Sequence, residues 1–102
     1  MTRTLYKLVD NLNGMIYVGS TSNVYDRVAQ YRSPGTIRKS KLFQRLRDIG
    51  FSNFTMYEIA TGDEVEIRRM ESELIVKLNS RWPAGYNMTN ETRSGTLKRG
   101  GK

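Results

Sequence analysis

The sequence predicts a single α+β domain in which a small three-stranded antiparallel sheet, an N-terminal hairpin plus one later strand, is flanked by about three helices. Two observations support this fold class. Two runs of β-forming residues near the N-terminus are joined by an Asn-Gly pair, which is typical of a β-hairpin. Three later segments repeat apolar residues at helical spacing, and a short alternating segment lies among them. A chain of 102 residues has room for one such core and not for two.

The hairpin strands are predicted at about residues 4–9 and 15–19, which are rich in apolar, aromatic and β-branched residues. If Asn13 and Gly14 form a two-residue type I′ turn, the numbers of opposed residues sum to 27. This register places the side chains of Tyr6 and Tyr17 on one face of the hairpin.

Two short helices are predicted next. Ser22 or Asn23 can cap the first, whose apolar positions recur at spacings of four and three up to Tyr31. That helix ends near residues 33–35, where a Ser-Pro-Gly sequence stops it. The second helix covers about residues 38–49 and is followed by a glycine that can end it.

A third strand and the longest helix complete the predicted domain. Residues 53–59 alternate as a half-buried strand does. Residues 61–63 should introduce the next helix, because Asp63 is followed three residues later by Glu66, which is the pattern of a capping box. The helix that starts there should run to about Leu78.

The domain is predicted to fill residues 1–90, of which residues 79–90 form a structured loop or short edge strand. Residues 91–102 contain one large apolar residue, Leu97, with three glycines and four basic residues. We expect this segment to be a basic flexible tail or the remnant of a linker.

The composition excludes several kinds of site. Seventeen Lys and Arg against ten Asp and Glu give a formal net charge of +7 and a pI of about 10.0. Such a balance attracts polyanions, so nucleic acid is the first partner to consider. The sequence has no Cys and no His, which excludes disulfides, thiolate nucleophiles, Cys/His zinc sites and imidazole bases. Because it also lacks a long apolar run and a signal-like start, we expect an intracellular protein of the cytoplasm or nucleus.

Glu71 is the residue that folding explains least. At 100° per residue, apolar residues that include Ile67, Leu74 and Ile75 lie within about 60° of it on the third helix. Burying an unpaired carboxylate is costly, so this one should be paired, protonated or bound to a cation. A buried ion pair with an arginine such as Arg27 is one alternative, and a metal site is the other.

Residues 27–47 contain seven basic residues and no acidic one. A solvated helix face would explain one run of charge, but the lack of interspersed acids favours nucleic acid. Arg38, Lys41 and Arg45 recur at helical spacing and would form a stripe along a phosphate backbone. The predicted DNA contacts in this window are Arg32, Arg38, Lys39, Lys41 and Arg45.

The chain has six tyrosines, of which Tyr6 and Tyr17 share a predicted face. Arg27 and Tyr31 lie four residues apart on the next element, so they share a side of that helix. A phenol has a pKa near ~10, so it can act as a base only if neighbouring cations stabilise the phenolate.

Gly19 could let a substrate backbone approach closely, although the end of a strand would explain it equally.

The order of these residues along the chain resembles the pattern of the GIY-YIG nuclease superfamily. Thr4-Leu5-Tyr6 matches its first motif in part, and Tyr17-Val18-Gly19 matches the second in kind. The resemblance is nearest to the catalytic domains of phage and large-virus homing endonucleases, although a tyrosine at position 31 resembles the excision-repair branch. The family's helix arginine, its His or Tyr one turn later, its metal-binding glutamate and its asparagine fall on Arg27, Tyr31, Glu71 and Asn87.

This resemblance implies a DNA endonuclease that uses one Mg²⁺ or Mn²⁺ ion on Glu71 and a water activated by tyrosine. Tyr6, or else Tyr17 or Tyr31, would be the base. Arg27 would stabilise the transition state. We expect a monomer, joined as in other family members to a separate DNA-binding domain.

Asn87 would orient Glu71 or its own loop. A non-catalytic nucleic-acid-binding module of the same fold, or a small RNA-binding protein, would share the charge and the length. Neither needs a carboxylate that faces phosphate.

Overall fold

The computed structural model describes residues 2–88 and confirms the α+β class, with one three-stranded antiparallel sheet and three helices. The predicted tail at residues 91–102 lies outside the described residues. Within residues 2–88, no helix is long and apolar enough to cross a membrane. The elements in chain order are β1 (Thr2–Asp10), β2 (Ile16–Thr21), α1 (Val24–Arg32), α2 (Lys41–Ile49), a 3-10 turn (Phe51–Asn53), β3 (Phe54–Asp63) and α3 (Glu64–Lys77).

The hairpin forms in a register two residues away from the predicted one. Tyr6 of β1 lies opposite Gly19, and Leu8 lies opposite Tyr17, so the numbers of opposed residues sum to 25. A shift of two keeps every side chain on its predicted face, because side chains alternate with a period of two. Tyr6 and Tyr17 therefore share a face as expected.

The predicted two-residue turn at Asn13 and Gly14 is wrong. A four-residue loop joins the strands, since the Asp10 N–H donates to the carbonyl of Met15 at 2.9 Å. Only Gly14 of the pair has a positive φ, 78°, whereas a type I′ turn needs it at both residues. The Asp10 carboxylate stabilises the longer loop by accepting hydrogen bonds from the N–H groups of Leu12 and Asn13.

β1 is the central strand, with β2 on one side and β3 on the other. β3 is longer than predicted and pairs along the whole of β1, with a bulge between Leu5 and Tyr6. Residues 61–63, which were expected to introduce the helix, are the last residues of this strand. Asp63 both ends β3 and caps α3, where its side chain accepts the N–H of Glu66 as predicted.

The starts of the two short helices follow from their caps. Asn23, rather than Ser22, caps α1 by accepting the N–H of Asp26. Ser40 caps α2 by accepting the N–H of Phe43. α2 therefore begins three residues later than predicted, and residues 38–39 belong to the loop before it.

The sheet separates two hydrophobic clusters. The aromatic face packs against α1 and α2, and the aliphatic face packs against α3. Alternation along β1 directs Tyr6 and Leu8 to the first face and Leu5 to the second. The buried residues of the aromatic face are Tyr6, Leu8, Tyr31, Leu42, Phe43, Leu46, Phe54 and Tyr86, and those of the aliphatic face are Leu5, Val18, Ile67 and Ile75.

Candidate active site

Tyr6, Tyr31 and Arg27 meet on the aromatic face. Both tyrosine side chains are buried, and their hydroxyl oxygens lie 2.5 Å apart. The two rings meet edge to face with their centroids 6.3 Å apart. Arg27, one helical turn before Tyr31, donates from Nη1 to the Tyr6 hydroxyl at 3.5 Å. Three of the predicted site residues therefore form one contact cluster.

Burial keeps both phenols of this cluster neutral. Desolvation raises the pKa of Tyr6, and it outweighs the hydrogen bond from Tyr31 and the charge of Arg27, which act the other way. Burial also raises the pKa of Tyr31 well above its usual value, and the neighbouring Tyr6 and Tyr17 add to the rise. These directions argue against the predicted phenolate base at Tyr6 or Tyr31.

Gly19 lies in the middle of β2 and supports this cluster by its lack of a side chain. A Cβ there would lie 2.8 Å from the Tyr6 hydroxyl and 2.8 Å from a ring carbon of Tyr17. The glycine therefore makes room for two tyrosine rings. It does not end the strand, and a close approach of a substrate backbone to it stays a prediction.

A cleft of about 360 Å³ opens beside the cluster. Tyr17, which is half-buried, and Arg27 form part of its wall. Arg38 and Lys39 add basic side chains from the loop before α2. The remaining lining residues are Tyr31, Ser40, Leu42, Phe43 and Tyr86.

The other predicted DNA contacts lie elsewhere. Arg32 is exposed at the end of α1 and lines a separate depression on the outer side of that helix. Arg38 precedes α2, so the predicted helical stripe of Arg38, Lys41 and Arg45 does not form. Lys41 begins α2 and places its ammonium 5.1 Å above the ring centre of Trp82. Arg45 is bound to Asp10, with Nε 2.8 Å from Oδ2.

Asp10 is a buried ion-pair residue that the sequence analysis missed. Its Oδ2 accepts hydrogen bonds from Arg45 and, at 2.6 Å, from the Tyr86 hydroxyl. Burial alone would raise the pKa of Asp10, but the bonds from Arg45, Tyr86 and the Leu12 N–H outweigh it and hold the pKa below its usual value. The carboxylate thus ties the hairpin loop to α2 and to the C-terminal loop. In the sequence it is indistinguishable from an ordinary turn aspartate.

Glu71 extends from α3 and is held by Ser20 of β2. The Ser20 hydroxyl donates to Oε1 of Glu71 at 2.8 Å and accepts a hydrogen bond from Nε of Arg3 at 2.8 Å. Because a guanidinium can only donate, the hydroxyl proton of Ser20 must point at Glu71. Neither Arg3 nor Ser20 was a predicted site residue, although strand alternation places Ser20 on the side of the sheet that faces α3.

Glu71 is half-buried, and no arginine of residues 2–88 forms an ion pair with it. The predicted alternative, an ion pair with Arg27, does not occur among residues 2–88. Its charge makes a small contribution to raising the pKa of Tyr6.

Asn87 attaches the C-terminal loop to the outer edge of β2. Its side chain pairs with Val18 as a neighbouring strand would, since Oδ1 accepts the Val18 N–H at 2.9 Å and Nδ2 donates to the Val18 carbonyl at 2.8 Å. Ser80 donates to the same Oδ1. Of the two predicted roles, this arrangement matches the one in which Asn87 orients its own loop.

The donors around Glu71 fit a hard divalent cation. Among the described residues, no group of three or more Asp, Glu, His or Cys could enclose a metal ion. One half-buried carboxylate beside a serine hydroxyl is instead suited to Mg²⁺ or Mn²⁺, which retain water and take phosphate oxygens as further ligands.

Comparisons with known proteins agree with this geometry. The model of the GIY-YIG catalytic domain matches residues 3–87. UvrABC system protein C of Rhodospirillum rubrum is 31% identical over 78 residues, which cover 76% of this chain but only 11% of that protein. The catalytic domain of the intron endonuclease I-TevI, in a variant with a glutamate replaced by alanine, gives a TM-score of 0.71 at 25% identity and covers 92% of this chain and 100% of that one. A second structure, of the catalytic domain of the homing endonuclease I-TevI, gives a TM-score of 0.67 at 24% identity, with coverages of 86% and 99%.

Proposed function

The chain belongs to the GIY-YIG family, and we propose that it is a DNA endonuclease domain that hydrolyses phosphodiester bonds with one divalent metal ion on Glu71. The observation that carries this proposal is the position of Arg27, which lines a basic cleft and donates a hydrogen bond to the hydroxyl of the buried Tyr6. The names of the similar structures, an intron endonuclease and a homing endonuclease, support the same activity.

The cleft has the charge that a phosphodiester requires. Arg27, Arg38 and Lys39 line it, and among residues 2–88 none of the three forms an ion pair with a carboxylate. The guanidinium of Arg27 is fixed by Tyr6, so its planar set of donors is already oriented when charge develops on the phosphate.

Tyr17 is better placed than Tyr6 to act on the attacking water. It is half-buried and lines the cleft, whereas Tyr6 and Tyr31 are buried and kept neutral. We assign Tyr6 and Tyr31 the role of neutral hydrogen-bonding groups that hold Arg27. Tyr17 would accept the proton of the water in its phenolate form, beside the cations that line the cleft.

Glu71 would hold the metal ion through the oxygen that Ser20 leaves available. When bound, a divalent ion supplies positive charge beside the scissile phosphate and its leaving oxygen. Ser20 fixes the carboxylate in the orientation that the site needs, and Arg3 fixes Ser20.

Cleavage of supercoiled plasmid tests the proposal. We expect the wild-type chain to nick or linearise the plasmid with Mg²⁺ or Mn²⁺ and not with EDTA. Glu71→Ala should abolish cleavage and keep salt-sensitive DNA binding. The matched control is Glu73→Ala, because Glu73 is exposed on the same helix and pairs only with Arg69 among the described residues. Wild-type binding without cleavage would instead favour a non-catalytic DNA-binding module, and cleavage in EDTA would contradict the metal.

A further inference from the structure

A second aromatic and basic surface adjoins the cleft. Trp82, the single tryptophan of the chain, remains 37% exposed. Its ring packs on Tyr86 with the centroids 6.3 Å apart and the planes 30° apart. The ammonium of Lys41 lies 5.1 Å from the centre of the same ring. Because Tyr86 also lines the cleft, the indole and the cleft are neighbours.

The indole is held on a rigid support. Tyr86 beneath it is buried and donates to the buried carboxylate of Asp10 at 2.6 Å. The backbone N–H of Trp82 donates to the carbonyl of Asn87 at 2.7 Å, which fixes the loop. A partly exposed ring on such a base loses little conformational freedom when it binds a ligand.

The surroundings of the indole match a polyanion. Residues 27–47 and 80–88, which supply Lys41 and Trp82, contain no acidic residue. The exposed Arg81 precedes the indole, and Arg38 and Lys39 lie on the cleft side. A flat ring beside basic side chains is complementary to a nucleotide, which offers one planar base and one phosphate.

We propose that Trp82 and Lys41 form a platform for an unpaired nucleotide of the DNA substrate. The indole stacks on the base, and Lys41, whose flexible side chain can turn away from the ring, binds a phosphate of the same strand. This proposal rests on the proposed function, because it assigns the cleft and the platform to one DNA strand. Bases in an intact duplex do not expose their faces, so the platform selects DNA with an unpaired or splayed base next to the cleavage site.

The single tryptophan gives a direct measurement of stacking. In the Glu71→Ala variant with EDTA present, a short single-stranded oligodeoxynucleotide should quench the fluorescence of Trp82 as it binds. A blunt duplex of the same sequence should bind with little quenching. Binding of the single strand without quenching would overturn the platform.

Variants of Trp82 and Lys41 measure how much the platform contributes to DNA binding. Trp82→Leu should weaken binding of a labelled single strand about tenfold and change duplex binding by less than about twofold. Trp82→Phe keeps an aromatic ring on Tyr86, and it should bind the single strand more tightly than Trp82→Leu does. Lys41→Met should remove about one phosphate contact. The slope of the logarithm of the single-strand binding constant against the logarithm of salt concentration should therefore become shallower by about one.

The matched control is a second aromatic and lysine pair. Lys7 places its ammonium 5.2 Å above the ring of Tyr57, which is exposed on β3 and faces the α3 side of the sheet. Tyr57→Leu should leave single-strand binding unchanged.

The platform would be overturned if Tyr57→Leu and Trp82→Leu weakened single-strand binding equally. It would also be overturned if neither variant weakened single-strand binding. If plasmid cleavage persists in those cases, the proposed function stands without the platform. A chain that neither binds nor cleaves DNA would remove both proposals.

Discussion

The two faces of the sheet are built from different chemistry. Three of the eight buried residues of the aromatic face are tyrosines, and each of their hydroxyls has a hydrogen-bond partner. The buried residues of the aliphatic face are Leu, Val and Ile only. The aromatic face therefore carries fixed polar groups at the cleft, and the aliphatic face contributes apolar burial. This difference suggests that chemistry and stability can be changed separately.

Glu71 is the exception that connects the two faces. It belongs to α3, which packs on the aliphatic face, yet its charge reaches Tyr6 on the other face. Ser20 of the edge strand β2 holds it there. The proposed site thus spans β1 and the edge strand β2, with Tyr6 and Arg27 on one face of the sheet and Glu71 on the other.

The largest effect on activity is expected for Arg27→Lys on the aromatic face. A lysine keeps the charge but loses the planar donors and the bond to Tyr6, so cleavage of plasmid should fall about 100-fold or more. The midpoint of thermal unfolding should change little. Arg68→Lys on α3 is the control, because Arg68 is exposed and pairs with Glu64. An Arg27→Lys variant that cleaves normally would remove Arg27 from the mechanism.

The largest effect on stability is expected for Ile67→Ala on the aliphatic face. Ile67 is 1% exposed, so its truncation should cost about 2–5 kcal/mol of unfolding free energy. Urea unfolding measures this loss, with Val76→Ala as the control because Val76 is exposed on the same helix. Below the unfolding transition, the variant should cleave at the wild-type rate. If Ile67→Ala lowered the cleavage rate as much as Arg27→Lys does, this result would contradict the separation of the two faces.

The fold could be predicted largely from the sequence because its local signals agree with its packing. The Asp63 cap predicted the start of α3, and the alternation of β1 predicted the shared face of Tyr6 and Tyr17. The errors concern interactions between distant residues. The hairpin loop is longer than its Asn-Gly pair suggests, and the Asp10 carboxylate that accepts the loop N–H groups is itself held by Arg45 and Tyr86, partners that a sequence pattern does not report.

The contact between Arg27 and the tyrosines could be predicted from the sequence, but the burial of those tyrosines could not. The sequence indicated Arg27, Tyr31 and Glu71, and the structure brings the first two together and places Glu71 within electrostatic reach of Tyr6. It could not indicate that burial opposes a phenolate at Tyr6, since desolvation depends on the packing of the whole aromatic face. Ser20 was missed because a serine after a glycine carries no signal of its own.

A smaller effect is expected for Ser20→Ala, which tests the connection between the faces. Loss of the hydroxyl frees the Glu71 carboxylate to rotate, so the Mg²⁺ concentration for half-maximal cleavage should rise about tenfold. The rate at saturating Mg²⁺ should recover much of the wild-type value. Ser22→Ala, at an exposed position just beyond β2, is the control. An unchanged Mg²⁺ dependence would show that Ser20 does not position Glu71.

The smallest effect is expected for Asp10→Asn, and it depends on pH. Folding lowers the pKa of Asp10, so its ionised form stabilises the folded state. This contribution is fully present above the unfolded pKa of about 3.9 and is lost as the pH falls through the lower, folded value. At neutral pH the variant should be about 1–2 kcal/mol less stable, because the charge-assisted bonds to Arg45 and Tyr86 are weakened.

Urea unfolding at several pH values measures this difference. The wild-type chain and Asp10→Asn should converge in stability as the solution is acidified below about pH 4, while Asp48→Asn, at an exposed position of α2, should follow the wild-type curve throughout. A constant gap between wild type and Asp10→Asn at every pH would mean that the asparagine disturbs the packing and that the charge contributes nothing. Convergence would instead show that the aromatic face, unlike the aliphatic face, owes part of its stability to the ionised form of the buried Asp10, which also holds Tyr86 beside the cleft.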